Sequence, residues 1–396
     1  MKSNSISIAL TLILSAGFSG LCAADALSLE EAIKGGSASG DVTNYYEKRS
    51  VKKGTPSTYY NNTAYDVGSI GLNYKTAAFH NVSVAVGFRA AQSLWESDKN
   101  FTTAHGKGDS TERIYEGDEV LLGNAYLEYN DGETIVRAGR QEMITDWVGK
   151  YNDGIRITNN SIKNLQFDLI WLQNQGRVYS KEMWGFKSRN KEKGGYYNAG
   201  VTFDTGVGLK AKVYGMYAKD VFSGEGIKLT YDRQIEDLNF GLMAHYATSN
   251  EEKEKRGKGE DGKIFEGSAY VKAYDIKTTI GYVKTGKESG WGSLNFAGDQ
   301  VVPFEEGDAM YERNAETYYL MMGTSLNKLN LTALYGSTKF DAGADSKRVT
   351  QDELSIWASY PITKALAALV IYDRTFKGHE SIPTIEQIGL GLSYKF

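Results

Sequence analysis

The chain carries 45 basic and 49 acidic residues among its 396, a net charge of −4, with one cysteine, 44 glycines and 27 tyrosines. That mild acidity gives no electrostatic reason to bind nucleic acid. The lone thiol excludes a disulfide framework or a thiolate metal site, and beyond the N-terminal leader no run reaches the roughly 18 apolar residues that a membrane-spanning helix needs.

Residues 1–24, MKSNSISIALTLILSAGFSGLCAA, join one lysine, an apolar core from Ile6 to Leu14 and small residues around Ala24. This is the pattern of a cleaved secretory signal peptide. Leu21, where lipidation requires a small residue, argues against an anchor at Cys22. Cleavage would leave the exported chain without a thiol and slightly more acidic. Residues 25–39 read as a periplasmic segment with a short helix. Ser28 can cap the amide of Glu31, acids sit at the positive end and Gly35 ends the turn.

From Gly40 to Phe396 the text alternates apolar and polar residues in segments of about nine to twelve. In YYNAGVTFD, Tyr197, Ala199, Val201 and Phe203 form one face, opposed by Tyr196, Asn198, Gly200, Thr202 and Asp204. Leu209, Ala211, Val213, Gly215 and Tyr217 follow, against Lys210 and Lys212. Similar stripes run through Leu238, Phe240, Leu242, Ala244 and Tyr246, then Leu354, Ile356, Ala358 and Tyr360. The closing IGLGLSYKF sets Ile388, Leu390, Leu392, Tyr394 and Phe396 on one side.

The connectors alternate as well. Short ones such as Asn130-Asp131-Gly132, a hairpin signal, and Thr205-Gly206 answer long ones at 50–63, 95–118, 176–193, 248–266, 286–314 and 340–349. Nothing divides the chain, and its four prolines fall in loops or at strand edges. The pattern predicts an all-β protein, a closed antiparallel transmembrane β-barrel of about 18 strands, or 16, over residues 40–396. Segments 133–144 and 365–376, mixed on both faces, decide between the counts. Closure is required because an open edge in hydrocarbon leaves backbone groups unpaired at several kcal/mol each. Phe396 would then be the closing residue, in an aromatic girdle at the periplasmic side.

A barrel this wide leaves an aqueous bore. By parity the lumen carries Arg89, Arg156, Lys210, Lys212, Lys228 and Asp232, with His245 and Glu353 as further members. The constriction candidate is the connector Met143–Gly154, compact and aromatic, with Asp146, Lys150 and Asp153; its other reading is an ordinary surface loop. The charge run from Glu251 to Lys263 reads as a solvated external loop. The basic stretch 176–193 reads the same way, or as a patch drawing anions or lipopolysaccharide phosphates to the mouth. Acidic constriction residues favour cations, whereas Arg89, Lys210 and Lys212 favour anions. The four histidines show no metal-ligand spacing and no nucleophile motif appears, so no enzyme is expected.

Several segments carry a resemblance: LEEAIK, AYLEY, AGRQ, TDW, DGIRITNNSI, GSLNFAGDQ and the closing YKF. They are similar to counterparts in the campylobacterial major outer membrane protein family and, more distantly, in OprD-like porins. The resemblance implies an 18-stranded, trimeric diffusion porin of the bacterial outer membrane. Its third loop would fold inward and small hydrophilic solutes would pass. It also implies a calcium ion held by carboxylates near the constriction, for which Asp146, Asp153 and Glu288 are the candidates; no other cofactor is required. The expected partners are outer-membrane lipid, lipopolysaccharide and the assembly machinery that reads aromatic C-termini. The rival expectation is a non-conducting adhesin or structural barrel binding through its long loops.

Overall fold

Alternation of side chains becomes strand along nearly the whole chain. The computed structural model describes residues 25–53, 61–115, 119–190, 194–252, 261–343, 346–379 and 382–396. The expected signal peptide and the middle of the 251–263 charge run lie outside the described residues. The strands are β1 (Ser37–Lys53), β2 (Thr63–Lys75), β3 (Val82–Glu96), β4 (Val120–Asn130), β5 (Thr134–Glu142), β6 (Tyr151–Asn159), β7 (Leu165–Tyr179), β8 (Glu182–Ser188), β9 (Tyr196–Asp204) and β10 (Leu209–Ala218). They continue as β11 (Phe222–Ile235), β12 (Leu238–Glu251), β13 (Lys263–Ala273), β14 (Ile276–Thr285), β15 (Glu316–Leu326), β16 (Leu329–Ala342), β17 (Lys347–Pro361), β18 (Leu366–Phe376) and β19 (Thr384–Lys395).

Sequential strands pair antiparallel around one sheet, β9 joins the lower half of β7, and β19 returns to β1 with Lys395 facing Asp41. The wall is thus a closed barrel of 18 strands, and β8 is an extra strand on the upper part of β7. Both mixed segments are wall strands, β5 and β18. At the seam the Gly40 amide donates to the Phe396 carbonyl at 2.8 Å and the Phe396 amide returns to the Gly40 carbonyl at 3.0 Å. A Cβ at residue 40 would meet the Gly71 carbonyl oxygen at 2.6 Å as well as the Phe396 ring, so the seam is built around glycine there.

Period two fixes what each face meets. Val213, Ile227, Leu242, Ile280 and Leu320 are exposed on the outside, with Tyr197, Tyr217, Tyr246, Tyr360 and Tyr394 near strand ends. Their neighbours in sequence turn to the lumen. Helix α1 (Leu29–Lys34) lies at the short-turn end, where the Ala77 amide donates to the Ala32 carbonyl at 2.9 Å. Ser28 Oγ accepts from the Glu31 amide at 3.2 Å, while the Glu31 carboxylate accepts from the Leu27 amide, one residue before the cap.

Two expected loops are instead strand. Tyr151, Asn152 and Asp153 ladder with β5 on one side and β7 on the other, so the connector expected over Met143–Gly154 ends at Lys150. The stretch 176–193, expected as a solvated external loop, contains the β7–β8 hairpin, because Val178, Met183, Trp184 and Phe186 supply apolar side chains that water would not hold.

The upper ends of β5 to β8 leave the wall and enter the lumen. β4 and β5 pair only over Ala125–Asn130, and the strands part beyond Arg140, next to Gly139, where φ is +126° and a Cβ would approach the Ala125 carbonyl oxygen to 2.2 Å. Arg140 then donates to the Leu122 carbonyl at 3.2 Å. At the hairpin tip the Ser180 carbonyl accepts from Ser69 Oγ of β2 at 2.7 Å. Met183 is buried with Tyr45, Tyr65, Val67, Ala91 and Ile114, so the hairpin rests against the wall at β1–β3.

The two faces of the wall should respond differently to charge. Val213→Arg, on the outer face in the middle of β10, should cost about 2–4 kcal/mol of folding free energy in vesicles. Thr332→Arg, lining the lumen, should cost less than about 1 kcal/mol. Denaturant titrations of the two variants make the comparison.

Candidate functional site

Lys212 of β10 and Lys228 of β11 face each other directly across the ladder, an arrangement that repels unless an anion lies between. Asp146 of loop 3 (143–150) fills that place, accepting from Lys212 Nζ at 2.6 Å and from Lys228 Nζ at 2.6 Å. Burial opposes the charge on Asp146, but Lys228 and Lys212 hold its carboxyl well below the usual carboxylate range. Beside it Trp147, fully buried, donates from Nε1 to the Tyr214 hydroxyl at 2.6 Å. That hydroxyl also lies 2.6 Å from His245 Nε2, and His245 Nδ1 lies 3.4 Å from Glu266. A polar chain from β10, β12 and β13 thereby holds loop 3 against the inner wall.

Loop 7 (286–315) lies on loop 3. The Gly149 amide donates to the Ala297 carbonyl and the Gln300 amide to the Asp146 carbonyl, both at 3.0 Å. Gln175 Nε2 of β7 ties the two together, reaching the carbonyls of Gly149 at 3.0 Å and Ala297 at 2.9 Å. Trp291, Leu294, Ala297, Val301 and Met310 are buried in the same cluster as Met143, Trp147 and Val148. Further along, the Glu305 and Glu306 amides donate to Glu353 on β17, each at 3.0 Å.

Between these inward segments and the wall opens a cavity of about 1510 Å³. Among the residues lining it, Lys150, Arg177, Lys181 and Glu182 stand on the side of loop 3 and the β7–β8 hairpin, with Asp299 and Glu305 on the side of loop 7. Lys181 and Glu305 approach to 3.6 Å, joining the hairpin tip to loop 7. The cavity continues past Lys228 to Asp232, Lys210 and Lys277 at the short-turn end. Burial pushes the Lys150 ammonium down to about 7, with Arg177 adding to the effect, and burial pushes the Asp299 carboxyl up.

The expected site residues are placed as follows. Asp146 and Lys150 are in loop 3; Asp153 is on β6, where Arg140 donates to it at 2.6 Å and Asn174 at 3.0 Å. Arg89 faces inward but is buried on the β1–β3 side in a pair with Asp41. Arg156 pairs with Asp168 at 2.7 Å and Lys210 with Asp204 at 2.8 Å, and Asp232 accepts from the Tyr270 hydroxyl. The residues do not fit the implied calcium ion. Asp146 and Asp153 are neutralised by different cations, Glu288 is exposed at the start of loop 7, and no group of three ligating side chains suited to a metal occurs among the described residues. Parity did not reveal Arg177, Lys181, Glu182, Asp299 or Glu305. The available signal was apolar content, Trp291, Leu294, Phe296, Val301 and Phe304, in a connector too greasy to be solvated.

Asp146→Asn leaves two opposed ammoniums without their anion. The loss should be on the order of 1–3 kcal/mol, below the ~3–5 of a fully buried pair because Lys212 and Lys228 keep some water. Since the folded carboxyl titrates below its unfolded value, this contribution is present above about pH 4 and is lost only as pH falls through the depressed folded value. Protease cleavage at loop 3, followed against pH in wild type and variant, measures both effects.

A family model described as Campylobacter major outer membrane protein matches residues 1–364. Among solved structures, OccAB4 of Acinetobacter baumannii superposes with a TM-score of 0.74 at 14% identity, covering 91% of this chain and 98% of that one. OpdO of Pseudomonas aeruginosa gives 0.75 at 12%, over 93% and 98%. A BenF-like porin from Pseudomonas fluorescens Pf-5 gives 0.74 at 13%, over 92% and 99%. At these identities the likeness is one of fold. No curated protein matches the chain. With most of its length matched and the barrel closed around a polar lumen, the chain belongs to the Campylobacter major outer membrane protein family and is an outer-membrane porin for small solutes.

Proposed function

We propose that ions and small hydrophilic solutes diffuse passively through the cavity between the inward segments and the β10–β17 wall, and that loops 3 and 7 with the β7–β8 hairpin set its narrowest point. The observation that carries this reading is the continuous charged lining from Lys150 and Asp299 at the aperture to Lys210 and Lys277 at the periplasmic end. Cations on one side and carboxylates on the other create a field across the path, which orients a solute with separated charges. Asp146 acts by holding loop 3 in place, and Lys150 faces the solute. Asp153 steadies the strand that carries loop 3. Arg156, Lys210, Lys212, Lys228 and Asp232 supply charge along the wall.

The family and fold are in general non-enzymatic, and on this reading the pore performs no covalent chemistry and needs no cofactor. The signal peptide directs export, and residues 25–39 lie in the periplasm before a single barrel domain. The Phe396 terminus is the feature on which recognition by assembly machinery would rest. The apolar exterior serves lipid, lipopolysaccharide and the faces of a trimer.

Folded protein in planar bilayers should give stable single-channel steps of porin size. Lys181→Ala, which removes the contact between hairpin tip and loop 7, should raise the step. Silence from protein whose heat-modifiable migration shows a closed barrel would overturn the diffusion reading and leave the adhesin alternative.

A further inference from the structure

Most cations at the aperture are engaged. Arg177 pairs with Glu182, Lys181 with Glu305, and Lys212 and Lys228 share Asp146. Lys150 stands apart. It occupies a left-handed backbone position, φ +69°, at the junction of loop 3 and β6, a conformation that a non-glycine residue holds only where its surroundings impose it. Its side chain lines the cavity, its ammonium lies 5.3 Å from the centroid of the Trp184 ring, and it forms no ion pair or side-chain hydrogen bond among the described residues.

Charged groups face it from every packed element: Arg177 on β7, Glu182 on β8, Arg189 beyond β8 and Asp299 in loop 7. Each of these has other partners. Glu182 is held by Arg177, Arg189 donates to the Phe296 carbonyl, and Asp299 accepts from the Tyr311 hydroxyl at 2.9 Å. The Lys150 charge is therefore left to act on whatever occupies the aperture.

We propose that Lys150 sets the ion preference of the pore as a switchable charge, admitting anions while its ammonium is protonated and yielding to Asp299 and Glu305, hence to cations, once it is neutral. This rests on the path assigned above. An ordinary lysine, at about 10.4, would remain charged across the whole physiological range. Lys150 is held near 7 by burial first and by Arg177 second, so its proton is lost as pH rises through neutrality. His105 lies in the same neighbourhood, stacked 3.7 Å from Tyr115, but burial lowers it from its usual range and it titrates at more acid pH.

The test is the reversal potential of the purified porin in planar bilayers across a potassium chloride gradient, read between about pH 6 and about pH 8. The cation-to-anion permeability ratio should rise up to about 25-fold over this interval, since one unit charge at close range in water shifts each ion about five-fold and in opposite directions. Its midpoint should fall at about 7. Lys150→Arg should keep the low-pH preference at both ends and Lys150→Gln the high-pH preference at both, while His105→Gln retains the switch. A flat wild-type profile overturns the proposal without recourse to any variant, as does a Lys150→Gln pore that still shifts. Folded protein that gives no conducting steps at either pH overturns the diffusion reading and this inference with it.

Discussion

In hydrocarbon no water is present to satisfy a backbone amide or carbonyl, and each one left open costs several kcal/mol. The architecture follows from that. A sheet of alternating strands has to close, and here it closes with Gly40 and Phe396 exchanging both hydrogen bonds at the seam. The same constraint governs the departure of β5 to β7 from the wall. Where β5 leaves β4, the Arg140 guanidinium serves the Leu122 carbonyl; where β9 no longer accompanies β7, β8 pairs with its upper part. The strands that enter the lumen bring partners with them, which limits the backbone left open where they depart.

Inside the barrel the organising force changes from backbone pairing to charge. Lys212 opposite Lys228 is a repulsive choice for a ladder. It becomes a socket once Asp146 is placed between them. Buried ion pairs contribute little net stability against well-packed apolar groups, because desolvation offsets attraction. Their use here is positional. A loop fixed by two ammoniums, with the Trp147–Tyr214 hydrogen bond alongside, has one seat on the wall, and loop 7 then packs on loop 3 through backbone contacts that any slippage would break.

The wall was legible from sequence because period two is a local signal. YYNAGVTFD coincides with β9, and the stripe from Leu209 lies on β10. The lumen charges Lys212 and Lys228 could be assigned by the same parity, and Asp146 and Lys150 stood out within a compact aromatic connector. What parity cannot report is contact between segments distant in sequence. The β7–β8 hairpin looked like solvated loop because its charges, Arg177, Lys181 and Lys187, concealed an alternation of apolar residues that becomes meaningful only against Tyr45 and Tyr65 of other strands. Asp153 was read as part of the compact connector between two strands, yet residues 151–153 pair across the sheet on both sides. Of the carboxylates implied for calcium, Asp146 and Asp153 lie close in sequence but are drawn to separate cations, and Glu288 lies on a different loop.

The placement of the hairpin changes which charges matter. With Ser180 and Met183 seated on β1–β3, Arg89–Asp41 becomes an internal strut beneath the hairpin, and Arg113–Glu47 ties the segment after β3 to β1. The open path follows the other side, along β10 to β17. Net charge, slightly acidic over the whole chain, therefore says little about what the pore prefers, since interactions beyond about 10 Å are largely screened at moderate salt. On the path proposed above, selectivity would rest with the few groups that share the aperture with the solute, where cations of the hairpin and loop 3 confront the carboxylates of loop 7. A balance of so few opposed charges is sensitive to the gain or loss of any one, so a small structural choice, a lysine held in a left-handed turn without a carboxylate beside it, acquires a weight in function that the composition of the chain does not foreshadow.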